Sequence, residues 1–165
     1  MPIDPAAELE LTAYRWVPDI ARGYVKDMRV RWALEEIGMP YRVRLVGGAG
    51  GEKSREHLAE QPFGQVPVLK AGDLCLFESG AILTWLGEQD ERLLPRDPAA
   101  RARAIGWVFA ALNSVEPFLQ SLFLVSHVAQ GADWQASGGF HEWNVQNAVI
   151  IQGTKFLDTN GNGIK

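Results

Sequence analysis

The chain reads as an α/β domain, a mixed four-stranded sheet with flanking helices, followed by the start of an all-α domain. Three observations predict it. Short apolar or alternating runs, the mark of strands, recur up to about residue 77. Between them, and after the last, the apolar spacing changes to i, i+3, i+4, i+7, the period of an amphipathic helix. Past a linker rich in charge and proline, only the helical spacing is left.

Residues 9 to 16 form the first strand, ended by Pro18 and a polar loop running to Gly23. From Asp27 the helical spacing takes over. Val30, Ala33, Leu34 and Ile37 share one face, Asp27 sits near the positive end, and Gly38 and Pro40 stop the helix. Tyr41 to Val46 alternates apolar residues with Arg42 and Arg44, which suits a second strand with one wet face. A glycine-rich loop follows, then a short helical turn from Ser54 to Glu60, closed by Pro62. Val66 to Lys70 and Leu74 to Phe77 are apolar runs separated by Ala-Gly-Asp, a hairpin signal. Glu78 and Ser79 open another helix whose inward face is Ile82, Trp85 and Leu86. Glu91 to Pro98 is the linker. Ile105, Val108, Phe109 and Leu112 restart the helical spacing, and Pro117 is expected to kink that helix because it removes a backbone donor. The first two strands, joined by a helix, are expected to be parallel, and the hairpin antiparallel.

The 165 residues, 47% of them apolar and 22% charged, are enough to bury roughly 70% of the unfolded surface. Sixteen basic against twenty acidic side chains give a net charge of −4, and no stretch concentrates Lys and Arg enough to track a phosphate backbone. A nucleic-acid partner is not expected. The single Cys75 excludes an intrachain disulfide, a thiolate zinc cluster and a C-x-x-C redox pair. No apolar run approaches the ~20 residues needed to cross a bilayer. The first residues lack the basic and then apolar order of a signal peptide. A soluble cytoplasmic protein with no membrane partner is the expectation.

Chemistry concentrates in two segments, Gln61-Pro62-Phe63-Gly64-Gln65-Val66-Pro67-Val68-Leu69 and Leu76-Phe77-Glu78-Ser79-Gly80-Ala81-Ile82. Together with the helix Val30-Arg31-Trp32-Ala33-Leu34-Glu35-Glu36 and the β-α-β-α-β-β-α order, they resemble the glutathione S-transferase family over roughly residues 10 to 125. The resemblance implies a thioredoxin-like domain over 9–90, followed by an incomplete helical C-terminal domain beginning at 98–130. It also implies a cis bond between Val66 and Pro67, which would turn the Val66 N–H and C=O outward to pair with a peptide ligand as an added strand. Ser79 could offer its hydroxyl and nearby free N–H groups to a ligand carboxylate in the positive field of the helix start, while Glu78 holds an ammonium. That pair suits an α-amino acid head group, the form of the γ-glutamyl end of glutathione. Helix capping by Ser79 is the plainer alternative. By the same resemblance Gln65 belongs to the glutathione-binding set, and Lys53 matches a lysine near the glycine carboxylate, although its neighbour Glu52 stands where some classes have histidine.

Moving a thiol from ~8.5 to about 6.5 takes ~2.7 kcal/mol, within reach of one hydrogen bond to the thiolate at ~1.5–3 kcal/mol. The family supplies that bond from a Ser, Tyr or Cys between the first strand and the first helix. Tyr14 to Met28 contains no Ser or Cys, so Tyr14 and Tyr24 are the only hydroxyls there, and Tyr14, on the strand end, is the candidate catalytic residue. Helix-start N–H groups could serve without any hydroxyl. Cys75, in Leu-Cys-Leu-Phe, is expected to be a small buried hydrophobe. His57, His127 and His141 show no ligand spacing. The run from Gly47 to Ser54 imitates a phosphate loop, but Glu52 occupies the place of the glycine that must precede the lysine.

From about Gly131 the helical spacing fades, and 131–165 reads as an atypical tail. Its Asp158-Thr-Asn160-Gly-Asn162-Gly163 fits only the first half of a calcium loop, without the bidentate carboxylate, and no metal is expected there. The resemblance implies a glutathione S-transferase that joins glutathione, its co-substrate, to a small hydrophobic electrophile, with Trp107 and residues 109–112 walling the electrophile pocket. A homodimer is expected if the helical domain is completed, and self-association through its uncovered apolar face if it is not. The alternatives are a non-catalytic glutathione-binding module and a truncated, inactive product.

Overall fold

The computed structural model describes residues 2–48 and 53–123. The expectations placed on Glu52, His127, His141, the oxygen-rich run at 158–163 and the rest of the tail lie outside the described residues. The chain divides into two compact units, Met1–Gly106 and Trp107–Lys165.

The first unit is built as β1 (Glu10–Trp16), α1 (Asp27–Ile37), β2 (Arg42–Gly48), α2 (Arg55–Glu60), β3 (Val68–Ala71), β4 (Leu74–Phe77) and α3 (Ser79–Gln89). α4 (Pro98–Ala110) begins at its end. The strands lie in the order β2-β1-β3-β4, with β1 parallel to β2 and antiparallel to β3, and β3 antiparallel to β4. This is the expected mixed sheet. The crossover through α1 makes the first pair parallel, and the turn at Gly72, with φ 58°, closes the hairpin.

Strand periodicity divides β1 between two faces. Leu11, with Leu9 just ahead of the strand, points to the side where Val30, Ala33 and Leu34 of α1 and Ile82 and Leu86 of α3 complete a core with Tyr41 and Leu69. Each fully buried Leu or Ile there contributes about 1.5–3 kcal/mol. On the other face Glu10 takes Arg42 and Arg44, and Arg44 reaches on to Glu60 of α2, which also pairs with Lys70 of β3. Arg42 and Arg44 were expected on a wet face. They are instead half-buried beneath a charge network, because their acidic partners come from β1 and α2.

Other boundaries move for local reasons. β3 starts at Val68 rather than Val66, since Val66–Pro67 is cis and lies outside the ladder. Cys75 is exposed, not buried. β4 is an edge strand, and its alternation places Leu74 and Leu76 inward and Cys75 and Phe77 outward. Asp97 caps α4, its Oδ2 accepting from the Ala100 N–H at 2.7 Å. Pro98 takes the first helical position, where no N–H is needed.

The described part of the second unit holds the end of α4, a π-helical turn at Ala111–Val115 and α5 (Glu116–Phe123). The change of helical register falls just ahead of Pro117, which cannot donate back into the preceding turn. Among the described residues no helix is long and apolar enough to cross a membrane.

The charge network makes a stability prediction. Burial works against the Glu60 carboxylate, but hydrogen bonds from Lys70 and Arg44 outweigh it and hold its pKa below the ordinary 4.5. A depressed carboxylate stabilises the fold above its unfolded pKa and ceases to as pH falls through its folded one. Glu60→Gln is therefore expected to cost about 1–3 kcal/mol at pH 7, and the difference from wild type should shrink below pH 4.5. Urea midpoints at the two pH values check it; a pH-independent difference would remove the charge from the explanation.

Candidate functional site

Three groups of residues gather where β1, the loop before β3 and the start of α3 meet. The first surrounds Tyr14, near the end of β1. Its Oη donates to the Gly64 carbonyl at 3.5 Å, the outer limit of a hydrogen bond. Lys53 Nζ sits 4.5 Å from the centroid of the Tyr14 ring and donates to the Gly48 carbonyl at 2.8 Å. Lys53 keeps further N–H donors for other partners. The loop passes close enough that a Cβ on Gly64, whose φ is 63°, would stand 2.8 Å from Lys53 Cγ. Partial burial pushes the Tyr14 phenol up, and the Asp27 carboxylate adds to the shift. At neutral pH Tyr14 is thus an O–H donor, the form that can stabilise a neighbouring anion. Tyr24, the other hydroxyl of this region, is 81% exposed on a turn.

The second group is the start of α3. Glu78 caps the helix with φ 69° and ψ 116°, a conformation that L side chains seldom adopt, and its carboxylate makes no capping bond. Ser79 is the first helical residue rather than the cap, so capping does not consume its hydroxyl. It is buried, and its Oγ accepts from Arg29 Nη1 of α1 at 3.4 Å. A hydroxyl that accepts from a guanidinium still has its own proton to give. The helix start, the Ser79 hydroxyl and the Arg29 guanidinium thus lie together, three kinds of donor of the sort that suits a carboxylate. No motif or spacing in the sequence marks Arg29, which lies just before the Val30–Glu36 run of α1.

The third group is the loop from Gln61 to Pro67. Gln61 is buried, and its Oε1 accepts from the Phe63 N–H at 2.6 Å while its carbonyl accepts from Gly64. Phe63 meets Phe77, the residue before Glu78, edge to face at 6.4 Å. The β1–β3 ladder stops at Leu11 and Leu69, and the next pair is joined through a side chain, with Val68 N–H donating to Thr12 Oγ1 at 2.7 Å. Val66–Pro67 follows the cis expectation. Among the described residues nothing hydrogen-bonds to the Val66 N–H or C=O. Gln65 is exposed, and its carbonyl is held by His57 Nε2 at 2.9 Å. In the sequence His57 shows no ligand spacing, and its place three residues after Ser54, the cap of α2, is the local signal it offers.

Comparison with known proteins bears on the same residues. Residues 12–88 match the family described as glutathione S-transferase, N-terminal domain. Glutathione S-transferase 1 of Zea mays is 46% identical over 70 residues, 42% of this chain and 33% of that protein. Glutathione S-transferase 4 of Zea mays is 53% identical over 55 residues, 33% of this chain and 25% of that protein. Among solved structures, a theta class glutathione S-transferase from Xanthomonas axonopodis pv. citri, with glutathione bound, aligns over 88% of this chain and 67% of its own. The TM-score is 0.62 and the identity 25%. The chain spans a quarter to a third of the length of the two curated relatives.

Proposed function

Residues 12–88 belong to the glutathione S-transferase N-terminal domain family, and from that premise we propose that the chain binds glutathione and transfers its thiolate sulfur to a small hydrophobic electrophile. The observation that supports this most is the start of α3, where Arg29 reinforces Ser79 beside the Glu78 carboxylate, which makes no capping bond. In this reading Ser79, Arg29 and the helix start take the γ-glutamyl carboxylate, and Glu78 takes the ammonium. Val66 pairs with the peptide backbone through its N–H and C=O, flanked by Gln65 and Pro67. Lys53 stands toward the glycine carboxylate. Tyr14 donates its hydroxyl to the sulfur.

The chemistry is a substitution. The thiol proton leaves to solvent, the sulfur pair forms a C–S bond, and the leaving group departs with the electrons of the bond that breaks. The protein's part is to hold the tripeptide still and to favour the thiolate. Tyr14 reaches only weakly for Gly64, so that hydroxyl can turn to a better acceptor when the sulfur is charged. The same reading includes a homodimer when the helical domain is complete and a cytoplasmic location.

Retention on immobilised glutathione tests the binding part, and folded protein that flows through would end it. Conjugation of an aryl halide tests the enzyme part. Tyr14→Phe is expected to slow conjugation about 10–100-fold, the scale of one hydrogen bond to a thiolate, with glutathione affinity within roughly threefold of wild type. Unchanged turnover would clear Tyr14 of the role. Retention without any conjugation would leave a binding module.

A further inference from the structure

We propose that His57 is a positioning residue that holds the ligand-pairing loop in its binding shape through the Gln65 carbonyl. The proposal rests on the reading of Val66 as the residue that pairs with glutathione. His57 lies in α2 and is 1% exposed, so it offers almost no surface of its own to a ligand. One ring nitrogen, Nε2, is 2.9 Å from the Gln65 carbonyl oxygen. A carbonyl only accepts, so Nε2 carries a proton, and in the neutral ring Nδ1 is then a bare lone pair. Among the described residues Nδ1 is buried with no hydrogen-bond partner.

That imbalance is informative. A buried acceptor left unpaired is unfavourable, and an apolar side chain of similar volume would fill the same space without it. What the imidazole supplies, and an apolar residue cannot, is the donor to Gln65. The peptide after that carbonyl belongs to Val66, whose N–H and C=O have no partner among the described residues. Fixing the Gln65 carbonyl therefore fixes the plane in which the Val66 N–H points. α2 is itself held at both ends, by Ser54 accepting from the His57 N–H at 3.1 Å and by the Glu60 ion pairs to β2 and β3. The ring is a strut from a fixed helix to a loop that has few bonds of its own.

Two variants separate this role from packing. His57→Leu keeps the volume and removes the donor. His57→Gln places an N–H the same number of bonds from the backbone as Nε2. In ligand-free protein, hydrogen exchange of the Phe63 and Gly64 amides, both bonded to Gln61, reads the order of the loop directly. Exchange in His57→Leu is expected to rise roughly tenfold, with glutathione Kd weakened about 5–10-fold, the scale of one hydrogen bond. His57→Gln is expected to restore both to within about twofold of wild type. His57→Leu with wild-type exchange and wild-type Kd would overturn the proposal, as would His57→Gln failing alongside it. If wild-type protein does not bind glutathione, the functional reading fails, while the exchange measurement still decides the role of His57.

Discussion

Glu78→Ala is expected to weaken glutathione binding about 10–100-fold, as the loss of a charge-assisted hydrogen bond of ~1.5–3 kcal/mol would. The expectation follows from what Glu78 does not do in the protein. It is exposed, it makes no capping bond, and it has no ion pair among the described residues. Its backbone stands at φ 69°, which costs a non-glycine residue something like 1–2 kcal/mol. A carboxylate carried on a disfavoured backbone, with no ion pair among the described residues, is placed for a partner from outside. The ammonium of an α-amino acid, whose carboxylate lies at the neighbouring Ser79 and Arg29, has the complementary charge. Glu78→Gly sharpens the test, because glycine accepts positive φ freely. Its stability should equal or exceed that of wild type by up to about 1 kcal/mol while its affinity falls as far as that of the alanine variant. Isothermal titration beside a urea melt measures both quantities. Affinity and stability falling together would instead make Glu78 part of the fold.

The contrast between Glu78 and His57 also marks how far the sequence could be read. Elements and faces come from local spacing, and Val30, Ala33 and Leu34 on α1, Ile82 and Leu86 on α3, and the hairpin turn at Gly72 all sit where periodicity put them. The motif pair Gln65-Val66-Pro67 and Glu78-Ser79 was legible because each is contiguous in the chain. Contacts between distant residues were not. Arg29 meets Ser79, and Tyr14 meets Gly64, each across 50 positions, and no spacing rule connects residues so far apart. Cys75 shows the opposite failure. A run of four apolar residues gives no sign of whether both faces of the strand are covered, and on an edge strand only one is. Arg42 and Arg44 looked like solvent residues for a similar reason, since charge reads as exposure until a counter-charge on another element accounts for it.

Leu69→Ala carries the largest stability loss expected of a single substitution, about 3–5 kcal/mol. Leu69 is fully buried in an inner strand, with Leu11 opposite it on β1 and Leu76 on β4. It belongs to the cluster that joins the sheet to α1 and α3. Removing three carbons there leaves a cavity with strands on both sides and helices over it, elements that cannot all close inward. For a domain whose total stability is on the order of 5–15 kcal/mol, a loss of this size lowers the urea midpoint by about a fifth at the top of that range and brings it close to zero denaturant at the bottom. Leu69→Met, which nearly conserves volume, should cost less than about 1.5 kcal/mol. A loss below about 1 kcal/mol for the alanine variant would mean that the core is not centred on β3. The binding site provides the internal control. Leu69 lies two residues beyond Pro67, yet its side chain packs in the core cluster with α1 and α3, away from the residues proposed to hold glutathione. Glutathione Kd per folded molecule should stay near wild type in Leu69→Ala, and saturating glutathione should raise its midpoint by mass action. Core loss thus lowers the number of competent molecules, Glu78 loss lowers the competence of each one, and the two variants move stability and affinity along separate axes.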